Sequence, residues 1–285
     1  MGVSKGWKKG RREFPGIGNF AHEFLTLEHS PCRGRGGRKA RMKKLLAVLL
    51  LSVAPHFVFG DDFPPFSTSL PVGTNCVINM DVLHPLQCEV GMHEIELRAA
   101  KIRKKSPEKL EKYLLESGHI VPVVIGPGGT VYVTDHHHLC RALIESGVRT
   151  SVYATVKGNY ADFTPEKFWR IMKVMNWVYE RDENGREIKV PDDLPKTIKD
   201  LRDDPFRSLA WMVRHNDGYF YTDEELPDFQ WANFFRTRVK IGEGPDRWDR
   251  ALADAMKICH SDEAKNLPGY TKEQPKADAK NKDAD

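Results

Sequence analysis

The chain has no apolar run long enough to cross a bilayer. Its most apolar stretch, Leu45 to Ala54, holds about ten residues, whereas a helical span needs roughly 20. Internal repeats are absent, which excludes solenoid and propeller architectures. No Cys-x-x-Cys pair occurs among the five cysteines, which argues against a structural zinc site. A general basic excess is also missing. The net charge of +4 hides 12 Lys/Arg against 3 Asp/Glu in residues 1–60, and 32 against 37 in residues 61–285. A mildly acidic body counts against strong nonspecific nucleic-acid binding, which needs clustered Lys and Arg. What remains is an ordinary globular composition, 40% hydrophobic over 285 residues, enough for one large core or two small ones.

The N-terminal charge has a specific pattern. Met42-Lys43-Lys44 precedes the apolar run, and Val58-Phe59-Gly60 offers a cleavage site before Asp61-Asp62. This is the layout of a secretory signal, so residues 42–60 are expected to be a signal peptide and the product to be exported, periplasmic or secreted. Residues 1–41 are Gly- and Arg-rich without periodicity, and are expected to be an upstream extension with translation starting at Met42; the alternative is a basic nucleic-acid-binding arm. Past residue 60, Cys76, Cys88, Cys140 and Cys259 remain, an even count compatible with disulfides in three pairings.

Asp61 to Gly73 is rich in Pro, Ser and Thr and reads as an exposed lead-in, giving a linker at 61–75. Residues 76–160 alternate strand and helix patterns. Ser106-Pro107 opens a helix expected to close at Gly118. Val121–Ile125, a Pro127-Gly128-Gly129 turn and Thr130–Val133 read as a hairpin. A helix follows from His137 to Ser146, closed by Gly147, and then a strand from Thr150 to Val156. Residues 161–262 read as helical. Helices start at Pro165 and Pro205, a third spans roughly Phe229 to Val239, and a last one carries Trp248 to Cys259. The aromatic residues of this half fit a core better than a base-stacking platform. Residues 263–285 read as a disordered tail.

The informative segment is Val131-Tyr132-Val133-Thr134-Asp135-His136-His137-His138-Leu139-Cys140-Arg141. A strand delivers a polar cluster to a turn that opens a helix. The unpaired N–H groups of a helix start can hold an anion such as phosphate. Imidazoles there can donate hydrogen bonds or move protons near neutral pH. Asp135 can orient an imidazole, and Arg141, one turn on from His137, can face the same anion. Asp135 and His137 are expected on an exposed turn. Consecutive histidines point in different directions, and no His-x-x-x-His or Glu-x-x-His spacing accompanies them, so a dedicated metal site is not expected.

These residues resemble the ParB-like nuclease group of the ParB/sulfiredoxin fold, whose motif is Asp-Gly-His-His-Arg or a variant. Asp135, His137 and His138 match it. His136 stands at the usual glycine and Leu139 at the usual arginine. The stretch Pro85-Leu86-Gln87-Cys88-Glu89-Val90-Gly91 resembles the group's opening block, and Asp203–Trp211 and Gln230–Arg236 resemble its later blocks. The resemblance implies an α+β protein: a small mixed sheet with helices, then a mainly helical C-terminal extension. It also implies a phosphate at this helix start, with His136, His138 and Arg141 as contacts. Asp135, His137, His138 and Glu94 are then the catalytic candidates, with Glu94 as general base and Glu96 second. The sulfiredoxin cysteine role does not carry over to Cys140, which lies inside the helix.

The expected function is hydrolysis of a phosphodiester or of a nucleotide phosphate, with DNA or a nucleotide as substrate. Mg²⁺ would arrive with the substrate and meet Asp135 or Glu94. One alternative is a nucleotide- or anion-binding module without turnover. Another is a phosphotransferase related to the free-serine kinase branch, which export disfavours because triphosphates are scarce outside the cytoplasm. Lys101, Arg103, Lys104 and Lys105 form a local basic patch that DNA could use.

Overall fold

The computed structural model describes residues 63–222 and 226–272. The signal-like segment 42–60, the residues before it and residues 273–285 lie outside the described residues. The strands are β1 (Asn75–Asn79), β2 (Leu83–Pro85), β3 (Glu89–Val90), β4 (Val121–Ile125), β5 (Val131–Val133), β6 (Ser151–Asn159) and β7 (Arg202–Asp203). The helices are α1 (Met92–Arg103), α2 (Pro107–Leu115), α3 (His137–Ser146), α4 (Pro165–Val174), α5 (Pro205–His215), α6 (Pro227–Arg236) and α7 (Arg247–Cys259). Five strands form a mixed sheet in the order β1-β6-β4-β5-β2, and β3 pairs with β7 in a separate parallel ribbon. The protein is α+β: the small mixed sheet is interleaved with α1, α2 and α3, and α4 to α7 follow it.

The hairpin β4–β5 pairs Val123 with Val133 and Ile125 with Val131. Its turn holds Gly128 at φ 66° and Gly129 at φ 86°, left-handed conformations that glycine adopts without steric cost. Side chains alternate along β4. Val121, Val123 and Ile125 join the core under α1, α2 and α3, while Val124 packs with Leu86 and with Phe168 and Met172 of α4. Leu139, Cys140 and Leu143 of α3 share the first core with Ile95, Ala99 and Ile102 of α1. A third core belongs to α5, α6 and α7, with Trp231 and Tyr219 stacked at 4.4 Å between ring centroids. Most aromatic residues of the C-terminal half are core residues or pack against the cores, while Phe220 and Tyr221 are exposed.

Helix α3 and its Gly147 stop, at φ 70°, match the sequence reading. Elsewhere the boundaries differ. Helix α2 ends at Leu115 rather than near Gly118, because Glu116 turns extended at ψ 138° and Ser117–His119 form a 3-10 turn. Helix α4 stops at Val174, and Asn176 takes φ 48°, so Val178 is buried from outside the helix. Helix α6 begins at Pro227, whose ring suits a first helical turn, and ends at Arg236.

The lead-in is more tightly held than its composition suggests. Phe66 N–H donates to Val77 O at 2.8 Å, and Phe63, Phe66 and Leu70 lie against the first core. Residues 263–272, expected as the start of a disordered tail, are instead fastened to the third core. Trp231 Nε1 donates to Pro268 O at 2.7 Å, Phe220 N–H donates to Gly269 O at 2.9 Å, and Leu267 and Tyr270 pack there. The apolar residues among the charged ones are what the tail reading overlooked. Cys76, Cys88, Cys140 and Cys259 are all buried and free.

Candidate functional site

Strand β5 carries the chain into Asp135 and His136 at the mouth of α3. His136 takes φ 64°, ψ 25°, so the position that would suit glycine does need a left-handed backbone, and histidine accepts it. Asp135 is exposed, and its Oδ1 accepts the His136 N–H at 2.6 Å. No side chain caps α3, so its first-turn N–H groups have no side-chain acceptor.

The next two imidazoles are anchors. His137 is buried, at 3% exposure, against the expectation of an exposed turn. Its Nε2 accepts the Leu86 N–H at 3.2 Å. His138 Nε2 accepts the Gly91 N–H at 2.9 Å. Both rings thus hold the segment between β2 and α1, which is the opening block seen in the sequence. Burial holds His137 down to about 3, with Asp135 and the Val133 backbone opposing. Burial, followed by Arg207 and Arg98, also holds His138 well below its usual range. Neither ring is a proton shuttle at neutral pH; both are neutral acceptors.

Glu94 sits in the first turn of α1, almost fully buried. Its Oε1 accepts from Arg98 Nη2 at 3.0 Å, and its Oε2 lies 3.5 Å from His138 Nε2. Burial raises the carboxyl to about 6, opposed by Arg98, Arg207 and Arg214 and reinforced by Asp228. The structure therefore brings Glu94 and His138 together at the start of α3. Glu96 is exposed on the same helix, a solvated residue apart from this cluster.

Arg141 is held by its own fold. Its Nη1 donates to Lys199 O at 2.8 Å and Leu201 O at 3.0 Å, and its Nε donates to Glu145 at 2.8 Å. The guanidinium fastens α3 to the 198–201 turn through Nη1 and to Glu145 through Nε. The arginines around Glu94 come from elsewhere. Arg98 is one turn along α1, a spacing that could have been read as an i,i+4 pair. Arg207 and Arg214 come from α5, inside and just beyond the block Asp203–Trp211. Arg214 Nε lies 3.2 Å from Asp228 Oδ1 of α6. These α5 residues carried no local chemical signature in the sequence.

The start of α1 closes the assembly. Gly91 offers no side chain for capping, so Asp203 Oδ1 accepts the Met92 N–H at 2.9 Å and Ser208 Oγ accepts the Glu94 N–H at 3.3 Å. Asp204, fully buried, receives Arg236 Nη1 at 3.1 Å and Nη2 at 2.5 Å. A cleft of about 460 Å³ is lined by Phe206, Ile241, Arg247 and Trp248 among others, and it reaches the start of α1 through Asp203, whereas Glu94, Arg98 and His138 do not line it.

A small mixed sheet whose hairpin feeds a His-His helix start, with a buried carboxylate and arginines beside it, defines an α+β protein of the ParB/sulfiredoxin-like kind. A family model described as "Putative ParB-like nuclease" matches residues 76–237, and the chain belongs to this ParB-like family. Among solved structures it is similar to protein Atu1540 from Agrobacterium tumefaciens. The identity is 38% and the TM-score 0.62, over 69% of this chain and 97% of that one. No curated protein matches the chain.

Proposed function

We propose that the protein hydrolyses a phosphate ester, a phosphodiester or a nucleotide phosphate, at the start of α3. The observation that carries this reading is Glu94: a buried carboxylate raised to about 6, beside Arg98 and His138 at an uncapped helix start. A group in that range is ionised at neutral pH yet basic enough to take a proton from water. Glu94 removes that proton as the water oxygen attacks phosphorus. The P–O bond to the leaving oxygen breaks and that oxygen takes the proton back from Glu94, giving an alcohol and a phosphate from an ester, or two phosphates from a nucleotide anhydride. Arg98 and the α3 dipole stabilise the charge that spreads over the phosphoryl oxygens. His137 and His138 act as positioning residues that hold the Leu86–Gly91 segment in register with α3. Asp135 is exposed and suits a Mg²⁺ brought by the substrate, whereas Glu94 is committed to Arg98.

The basic run Lys101 to Lys105 lies at the opposite end of α1 from Glu94, so it favours no particular nucleic-acid path to the site. Export is part of the proposal. It rests on the signal-like pattern of residues 42–60, and N-terminal sequencing of the native protein tests it: a product that retains Trp7 removes it. The reaction is tested by phosphorus NMR of the full chain with Mg²⁺, a DNA oligonucleotide and ATP, beside Glu94→Gln. New phosphorus species are expected from the wild type, formed about 10²-fold or more slowly by the variant. Equal turnover in both removes Glu94 from the reaction. Shifted or broadened ligand signals without products would instead favour a binding module, a reading supported by both imidazoles being committed to backbone amides.

A further inference from the structure

Arg207 is the side chain that the hydrolytic reading leaves unused. It is 6% exposed, and its Nε and Nη1 have no hydrogen-bond partner. The nearest carboxylate oxygen, Glu89 Oε1, is 4.0 Å from Nη1, beyond hydrogen-bond length. The guanidinium lies over the Phe229 ring, 3.5 Å from Cζ to the centroid, which holds it in place without neutralising it. Among the described residues Glu89 is its one paired carboxylate, held at 4.0 Å without a hydrogen bond, and burial raises that carboxyl against the pull of Arg207. Leaving a guanidinium buried without a counter-charge is costly.

The surroundings show where the missing charge belongs. Arg98 is matched by Glu94, and Arg214 by Asp228. Arg207 has only the distant Glu89, with Nε and Nη1 left without hydrogen bonds, and it is the foremost charged group acting on His138. Depth sets the shape of what can reach it. The side chains of Arg207, Arg214 and His138 are 6, 12 and 16% exposed, so a ligand must enter end-on. An internal phosphodiester, flanked by a sugar on each side, stays too far out. A terminal phosphate presents three oxygens on a narrow group, and a guanidinium can bridge two of them.

The geometry points to Arg207 as the anchor for a terminal phosphate, so that the substrate is a phosphomonoester or the end phosphate of a nucleotide or oligonucleotide. This rests on the α3 start being the phosphate site. The C-terminal helices then supply the recognition charge, and the sheet and α1 supply the base.

The test is thermal unfolding of the full chain with inorganic phosphate or dimethyl phosphate, for the wild type, Arg207→Met and Arg207→Lys. Inorganic phosphate is expected to raise the wild-type Tm, and dimethyl phosphate to leave it unchanged. Affinity for phosphate should fall on the order of tenfold to a hundredfold in Arg207→Met. If that variant does not fold, Arg207→Lys carries the test: lysine keeps the charge but cannot bridge two oxygens, so affinity must still drop. Wild-type affinity in the variant that folds, or equal binding of the two probes, overturns the inference. Arg207-dependent phosphate binding without ester hydrolysis would keep this anchor and remove the hydrolytic reading. Hydrolysis at an unchanged rate in Arg207→Met would do the reverse.

Discussion

Glu94 and Arg98 form the pair on which pH dependence should turn. As a base Glu94 must be ionised, so hydrolysis is expected to rise with pH to about 6 and level off above it. Arg98 is the first of the charges that lower this carboxyl. Arg98→Gln should therefore move the rising limb to higher pH, as read from pH–rate profiles of both proteins. A limb that stays put or moves down would separate Glu94 from the profile. His137 gives a second prediction at this scale. Taken as a turn residue it should tolerate alanine, but its ring is buried and receives the Leu86 N–H. His137→Ala should cost on the order of 1–3 kcal/mol in denaturant unfolding, since a buried donor loses its acceptor. Wild-type stability would return the residue to a purely chemical role.

At the scale of elements, the junction between α1 and α5 is the most constrained. A Cβ on Gly91 would lie 2.5 Å from Ser208 Oγ and 2.6 Å from Ser208 N. The backbone of α5 cannot yield as a flexible side chain can. Gly91→Ala should cost on the order of 1–3 kcal/mol and displace Glu94, so that kcat falls together with stability. Unchanged activity in a destabilised protein would show that the junction does not position the base. The glycine was visible in the opening block of the sequence, and so was the α3 start from Asp135 to Gly147, because strand, turn and helix punctuation there are all local. The hairpin was legible for the same reason. Arg141 misled because spacing shows which residues share a helix face but not which carbonyls wait opposite, here those of the 198–201 turn. Arg98 lay within reach as an i,i+4 partner. Arg207 and Ser208 did not, because their roles exist only after two distant segments meet.

Across the whole molecule, opposed buried groups shape stability against pH. Glu89 and Glu94 are raised from 4.5, to about 8 and about 6. The folded state binds more protons than the unfolded one above 4.5, so their contribution is fully present below that value and is lost as pH rises through the folded values. His137 and His138 are lowered from 6.5, so the folded state binds fewer protons below that pH and stability falls as acid is added. Stability should therefore decline on both sides of mildly acidic pH. Glu89→Gln should remove much of the alkaline loss, a few kcal/mol at most by pH 8, while changing little near pH 4.5. Parallel alkaline declines in variant and wild type, followed by thermal unfolding, would clear Glu89 of the effect.

The start of α1 is capped by Asp203 and Ser208, more than a hundred residues further along the chain. Glu94 therefore comes into register only when the last third of the protein arrives. In a refolding experiment, the activity proposed for Glu94 would act as a clock for that late docking: secondary structure can return first, and the first product molecules would mark the moment when α1 and α5 close on each other.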